Sequence, residues 1–152
     1  AAVSVSAGSP DGCRFALTST RVGLSYWLYV GDADGTNVRK ISETPSGHVY
    51  PAWSPDGRQL VFTGSAGQQS ELFVCDVDGS NERQLTELGG LNSLAAWSPD
   101  GWIAFVHREE GDRHEQGGIW VIRPDGSDAR EIVPFEAYLG QGAGRPAWQP
   151  VP

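Results

Sequence analysis

The chain has no methionine, only two cysteines and three histidines, and no apolar run longer than a few residues. A helix that crosses a bilayer needs about 20 consecutive apolar residues, so no membrane insertion is expected. Cys13 and Cys75 stand at different places in the sequence pattern and have no metal-type spacing, which excludes a thiolate zinc site; we do not expect them to be paired. Basic residues are also scarce. Eleven against nineteen acidic ones leave a net charge of −8, which opposes nucleic-acid phosphates and anionic lipid as partners and favours solubility. No stretch keeps a helical period. Ala1 to Gly8 has neither the basic start nor the apolar core of a signal peptide. A methionine-free chain opening on Ala1 is read as missing its translation start, either through loss of a leader or as a segment of something longer.

What the chain has in quantity is turn residues, with 20 glycines and 10 prolines among 152 positions. They fall in a pattern. Ser-Pro-Asp-Gly occurs at 9–12, 54–57 and 98–101, a period of about 44 residues. A second tetrapeptide follows in each period: Asp32-Ala-Asp-Gly35, Asp76-Val-Asp-Gly79 and Arg123-Pro-Asp-Gly126. Tryptophan precedes the first motif in Pro51-Ala52-Trp53 and Ala95-Ala96-Trp97, and returns in Pro146-Ala147-Trp148. Between these marks lie short β-rich runs: Phe15–Thr18, Leu60–Thr63 and Ile103–Val106; then Leu28–Val30, Leu72–Val74 and Ile119–Val121; then Arg39–Ser42, Arg83–Thr86 and Arg130–Val133. Runs of this length joined by Asp-Gly turns read as four-stranded antiparallel units, because glycine accepts the positive φ of a tight hairpin. Four-stranded units repeated radially make a β-propeller.

The string Pro-Ala-Trp-Ser-Pro-Asp-Gly-Arg-Gln-Leu-Val-Phe at 51–62, continued by Glu-Leu-Phe-Val-Cys-Asp-Val-Asp-Gly-Ser-Asn at 71–81 and Arg-Gln-Leu-Thr at 83–86, closely resembles the TolB-type propeller repeat. The resemblance covers the whole chain. It implies an all-β fold of three blades, at about 1–45, 46–90 and 91–137, with 143–150 as one extra inner strand. The first blade departs from the family in carrying Ala7-Gly8 where Ala-Trp is expected. Closed propellers have about four to eight blades, and the family implies six. Three blades would bare the apolar outer faces of the first and last, so either a second copy closes the ring as a homodimer or further blades belong to the same polypeptide.

Candidate chemistry is sparse. Gly23-Leu-Ser-Tyr-Trp27 lacks the second glycine of a nucleophile elbow, so Ser25 is not expected to be a nucleophile. The peptidases whose propellers resemble this one carry their catalysis on a separate domain. Asp32, Asp34, Asp76, Asp78 and Asp125 have oxygen ligands at alternating positions, but lack the terminal bidentate glutamate of a calcium loop. No metal or other cofactor is expected. His48, Tyr50, Asn92 and Arg145 precede or flank inner strands, where they would ring one mouth of the channel as a ligand site. His107, Arg108, Glu109, Arg113 and His114 belong to the most charged hairpin connection, expected to be an exposed loop that contacts a partner. Trp53, Trp97 and Trp148 repeat in register and are expected in blade packing, as is Trp120. Trp27 and Trp102 are off that register and are candidates for exposed stacking. The resemblance implies a non-catalytic binding module with a protein partner, periplasmic or extracellular. A lectin-like or small-ligand module and a channel-mouth metal-dependent lyase are the alternatives.

Overall fold

The computed structural model describes residues 3–20, 25–44, 50–111, 117–134 and 146–148. All regular structure among the described residues is β-strand. The first unit is β1 (Val3–Gly8), β2 (Arg14–Ser19), β3 (Trp27–Asp32) and β4 (Arg39–Lys40), hydrogen-bonded in that order. The second is β5 (Ala52–Trp53), β6 (Gln59–Ala66), β7 (Gln69–Asp76) and β8 (Arg83–Gln84). The third is β9 (Leu91–Trp97), β10 (Ile103–Arg108), β11 (Gly118–Ile122) and β12 (Arg130–Val133). Within each unit every ladder is antiparallel, and one parallel pair, Ser70 with Leu91, joins the second unit to the third. Each β-rich run of the sequence lies in or overlaps a strand. Most of 143–150 lies outside the described residues, and Pro146–Trp148 within it forms no strand.

Alternation along β6 and β7 organises the core, because successive side chains leave a strand on opposite faces. Leu60, Phe62, Phe73 and Cys75 face one way and pack with Ala16, Leu28, Val30 and Ile41 of the first unit. Val61, Leu72 and Val74 face the other way and pack with Ile103, Phe105 and Ile122 of the third. The middle sheet is therefore dry on both faces. The end faces are not bare either. Tyr29, on the side of β3 away from the second unit, is buried, and so are Ala104, Val106 and Val121 on the far side of the third. Large exposed apolar side chains among the described residues are Leu88, Ile132 and Trp148. Apolar exposure at the ends thus does not by itself demand a partner.

The tetrapeptides close by side-chain hydrogen bonding. In the first motif Gly57 N–H donates to Ser54 O (2.9 Å), Ser54 Oγ donates to Asp56 Oδ1 (2.6 Å), and Gln59 N–H donates back to Ser54 Oγ (2.9 Å). Ser9 and Ser98 repeat this, the last with Trp102 N–H as donor because its loop is one residue shorter. In the second motif Thr36, Ser80 and Ser127 donate both backbone N–H and hydroxyl to Asp34, Asp78 and Asp125. Asn37 and Asn81 then donate to Asp32 and Asp76. The third unit exchanges the roles, with Arg123 facing Asp128 at 3.8 Å. These turns employ the aspartates as acceptors, which accounts for them without an ion. Both cysteines are free; burial, with Glu82, Asp76 and Asp78 nearby, pushes the Cys75 thiol up to about 12.

Neighbouring units are latched as well as packed. Trp53 Nε1 donates to Ala7 O (2.9 Å), Arg14 lies over the Trp53 ring and donates to Gly57 O (3.1 Å), and the Glu82 carboxylate accepts from the N–H groups of Glu43 and Thr44.

Two outcomes follow. Phe62 is fully buried, so Phe62→Ala removes its transfer energy and leaves a cavity, a loss of about 3–5 kcal/mol in urea unfolding. Hydroxyl and then backbone donors hold Asp11, Asp34, Asp56, Asp78, Asp100 and Asp125 below the ordinary 3.8. Since the folded values lie below the unfolded one, this stabilisation is complete above 3.8 and is lost as pH falls through the folded values. These carboxylates should therefore make the thermal midpoint fall steeply below that pH, and less steeply in Asp56→Asn.

Candidate functional site

At the end of the sheets opposite the Ser-Pro-Asp-Gly turns, three elements converge. Glu71, third in β7, is 2% exposed, an unusual place for a carboxylate. Thr86 Oγ1 donates to its Oε2 at 2.5 Å, Gly89 N–H donates to Oε1 at 2.7 Å, and Asn92 Nδ2 donates to Oε2 at 2.9 Å. Asn92 Nδ2 also faces Gly89 O (2.9 Å) and Ser70 O (3.2 Å). With its amide nitrogen so committed, Asn92 Oδ1 accepts from His107 Nδ1 across the β9–β10 ladder at 2.9 Å. That assignment puts the proton of neutral His107 on Nδ1. Burial holds the His107 pKa below its usual value despite Glu109, Glu71 and Glu131, and the ring stands edge-on to Trp120 at 5.1 Å.

The backbone is shaped to this network. Gly89 and Gly90 both take positive φ, and a Cβ on Gly90 would meet Arg108 O at 2.1 Å. Only glycine lets the chain turn around the Glu71 carboxylate while touching the end of β10. In β9 a register shift opposite Ala104–Val106 coincides with Leu94 at φ 57°, a conformation disfavoured for leucine. Such a bulge re-aims the side chains beside it, here Asn92 and Ser93.

Beside the network lies an open cavity of about 350 Å³. Its walls are Gln68, Gln69 and Ser70 from the β6–β7 hairpin, Gly90 and Leu91 before and in β9, and Arg108 to Gly111 after β10. Gln69 Nε2 reaches Glu110 Oε2 across it at 3.4 Å. The walls offer hydrogen-bond donors and carboxylate acceptors together, which suits a peptide backbone or other mixed polar ligand. At the opposite end Trp53, Trp97 and Trp148 line an apolar cleft of about 450 Å³ with Pro10, Pro55 and Pro99. Trp148 Nε1 donates there to Ala96 O (3.2 Å), whereas the buried Trp97 Nε1 has no partner among the described residues.

The site residues expected from sequence are redistributed. His48 and Arg145 of the channel-mouth group, and Arg113 and His114 of the loop group, lie outside the described residues. Tyr50 is half-buried. Asn92 is fully buried instead of lining an open mouth, and His107 is a buried strand residue instead of part of an exposed loop, because β10 runs on to Arg108. The structure joins these two, which the sequence reading had placed in different groups. Arg108 and Glu109 do border the cavity. Trp27 and Trp102 are half-buried and not bare for stacking: Lys40 Nζ lies 3.9 Å from the Trp27 ring, and Arg123 and Arg130 lie 3.8 and 4.5 Å from that of Trp102. Ser25 is exposed before β3. Glu71 was not singled out; its signal is a glutamate heading an apolar run where the other units have Trp27 and Gly118.

A family model for the TolB β-propeller domain matches residues 2–150. The chain belongs to that family. It is 40% identical over 60 residues to an uncharacterized peptidase, YuxL, of Bacillus subtilis, an overlap of 40% of this chain and 9% of that protein. It is 40% identical over 43 residues to the Tol-Pal system protein TolB of Albidiferax ferrireducens, covering 28% of this chain and 10% of that one. A protein of Agrobacterium tumefaciens assigned as TolB superposes with a TM-score of 0.73 at 29% identity, over 84% of this chain and 45% of the other. The chain thus spans about a tenth of the curated TolB-family relatives it matches and less than half of that solved structure.

Removing the central member tests the cluster. Asn92→Ala strips Glu71 of a donor, and Ser70 O, Gly89 O and His107 Nδ1 of a partner, all in a buried setting. A loss of about 2–3 kcal/mol is expected in urea unfolding, several times that of Asn37→Ala in an exposed turn.

Proposed function

We propose that the chain is a non-catalytic, TolB-like propeller segment that acts as a protein-interaction platform outside the cytoplasm, and that a peptide segment of its partner engages the cavity between the second and third units. The observation that carries this reading is the pairing of a mixed-charge cavity with a buried, hydrogen-bonded polar network behind it. Hydrogen bonds fix Glu71, Asn92 and His107 to one another and to the backbone. The strand ends that carry Ser70, Leu91 and Arg108 are therefore held still, and a rigid wall spares a ligand the entropy of ordering it. Loops on a rigid scaffold are where binding residues concentrate.

The TolB relatives, named for the Tol-Pal system, support a protein partner and a periplasmic setting. The peptidase relative supports the wider point that such propellers accompany catalysis in other chains. A glycan or small-ligand reading rests on the same cavity, whose amide and carboxylate walls also suit hydroxyl groups. The reading includes a homodimer that completes the ring, which sedimentation velocity would register as twice the 16.3 kDa monomer mass.

The test is selection from a peptide library displayed on phage, followed by calorimetry on enriched peptides. Arg108→Ala with Glu110→Ala should weaken binding roughly tenfold or more and leave the thermal midpoint unchanged. Binding indifferent to both substitutions would sink the cavity as the site. An empty peptide selection with specific signals on a glycan array would transfer the cavity to the glycan reading.

A further inference from the structure

The Ser-Pro-Asp-Gly turns do more than close hairpins. Each sets an exposed proline beside an exposed aspartate: Pro10 with Asp11, Pro55 with Asp56 and Pro99 with Asp100. The prolines join Trp53, Trp97 and Trp148 around the apolar cleft of about 450 Å³, at the end of the sheets opposite the Glu71 cluster. Serine hydroxyl donors hold the three neighbouring carboxylates below their ordinary value, so all are ionised at neutral pH. The nearest arginines have further tasks. Arg14 lies over the Trp53 ring and donates to Gly57 O, Arg123 lies over the Trp102 ring, and Arg58 also borders Asp76 and Asp78. The cleft is thus an apolar floor with an acidic rim.

Its hydrogen-bonding capacity is one-sided. Ser98 Oγ donates to Asp100 and accepts from Trp102 N–H, and Ala96 O accepts from Trp148 Nε1. Trp97 Nε1 is a buried donor with no partner among the described residues, although its counterparts in Trp53 and Trp148 both donate to carbonyls. An ordinary peptide would strand its amide N–H groups against such walls, and a saccharide its hydroxyls. A proline run brings carbonyl acceptors without donors, and its extended polyproline II shape is set before binding. Aromatic-lined grooves recognise such segments on that basis.

We propose that the tryptophan cleft binds a proline-rich segment of a partner protein, with lysine or arginine flanking the prolines. The proline rings pack on Trp97 and Trp148, a ligand carbonyl accepts from Trp97 Nε1, and the flanking cations meet Asp11, Asp56 and Asp100. This goes beyond the cavity walled by Arg108 and Glu110 and does not rest on it, since the two sites occupy opposite ends of the sheets.

The probe is a synthetic peptide of eight prolines with two lysines at each end. It is titrated into nitrogen-15-labelled protein and followed at the indole N–H signals of the six tryptophans. The Trp97 and Trp148 signals should move together and saturate, while those of Trp27 and Trp102 stay fixed. Trp97→Phe keeps an aromatic ring and removes the donor, and should weaken binding by roughly threefold to tenfold. Asp56→Asn with Asp100→Asn keeps the turn acceptors and should weaken it several-fold, as should high salt. A peptide of equal charge with glycine and serine in place of proline should bind roughly tenfold more weakly or worse. Equal binding of that peptide would reduce the site to charge alone and overturn the proposal. So would Trp97 and Trp148 signals that stay still at millimolar peptide, or that respond to the protein's own dilution instead, which would make a second copy the occupant. Binding abolished by Arg108→Ala with Glu110→Ala would belong to the other cavity and overturn it as well.

Discussion

A sheet that is dry on both faces has few places to keep polarity. In the middle unit, Leu60, Phe62, Phe73 and Cys75 fill one side and Val61, Leu72 and Val74 the other, so the usual solvated face of an antiparallel sheet is missing. Polar groups are driven to the strand ends, the turns and the outer edge. Every feature with chemical interest in this chain lies at one of those three places. Acidic turns at one end, the Glu71 cluster at the other and arginine latches along the edge are consequences of one packing constraint.

The Glu71 cluster shows how strict that constraint is. A carboxylate buried among strands is tolerated only if hydrogen-bond donors reach both of its oxygens, since an unpaired buried charge costs several kilocalories. Here Thr86, Gly89 and Asn92 supply the donors, and two consecutive left-handed glycines and a bulged strand bring them into range. Backbone irregularity of that kind weakens a ladder. Its concentration beside the polar cavity between the second and third units is the physical reason for reading that end as the binding end.

The repeat made the architecture legible in sequence, because turns and strands are local and each is written three times. Asp-Gly pairs gave the hairpins, and short β-rich runs such as Leu60–Thr63 gave the strands. The site was harder to read because it is built from departures from the repeat. Asn92 and His107 were visible as unusual residues, but pairing them requires the register of β9 against β10, which a bulge at Leu94 shifts. Glu71 was hidden within a strand-like run. Its equivalents, Trp27 and Gly118, differ from it and from each other, and that disagreement at one register position was the available signal. Trp102 was misjudged for a different reason, since Arg123 and Arg130 reach its ring from positions distant in sequence.

The latches explain how units that have drifted apart still stack. Arg39 and Arg83 address backbone carbonyls, not side chains, so the acceptor persists whether the turn reads Asp-Val-Asp-Gly or Arg-Pro-Asp-Gly. Within the turns the opposite strategy holds. Asp32 with Asn37 and Asp76 with Asn81 become Arg123 with Asp128, a reversal of roles that keeps the contact and changes both residues. Contacts inside a unit can exchange partners because both lie a few residues apart and change together. A contact between units cannot rely on that, and an acceptor common to every residue removes the need.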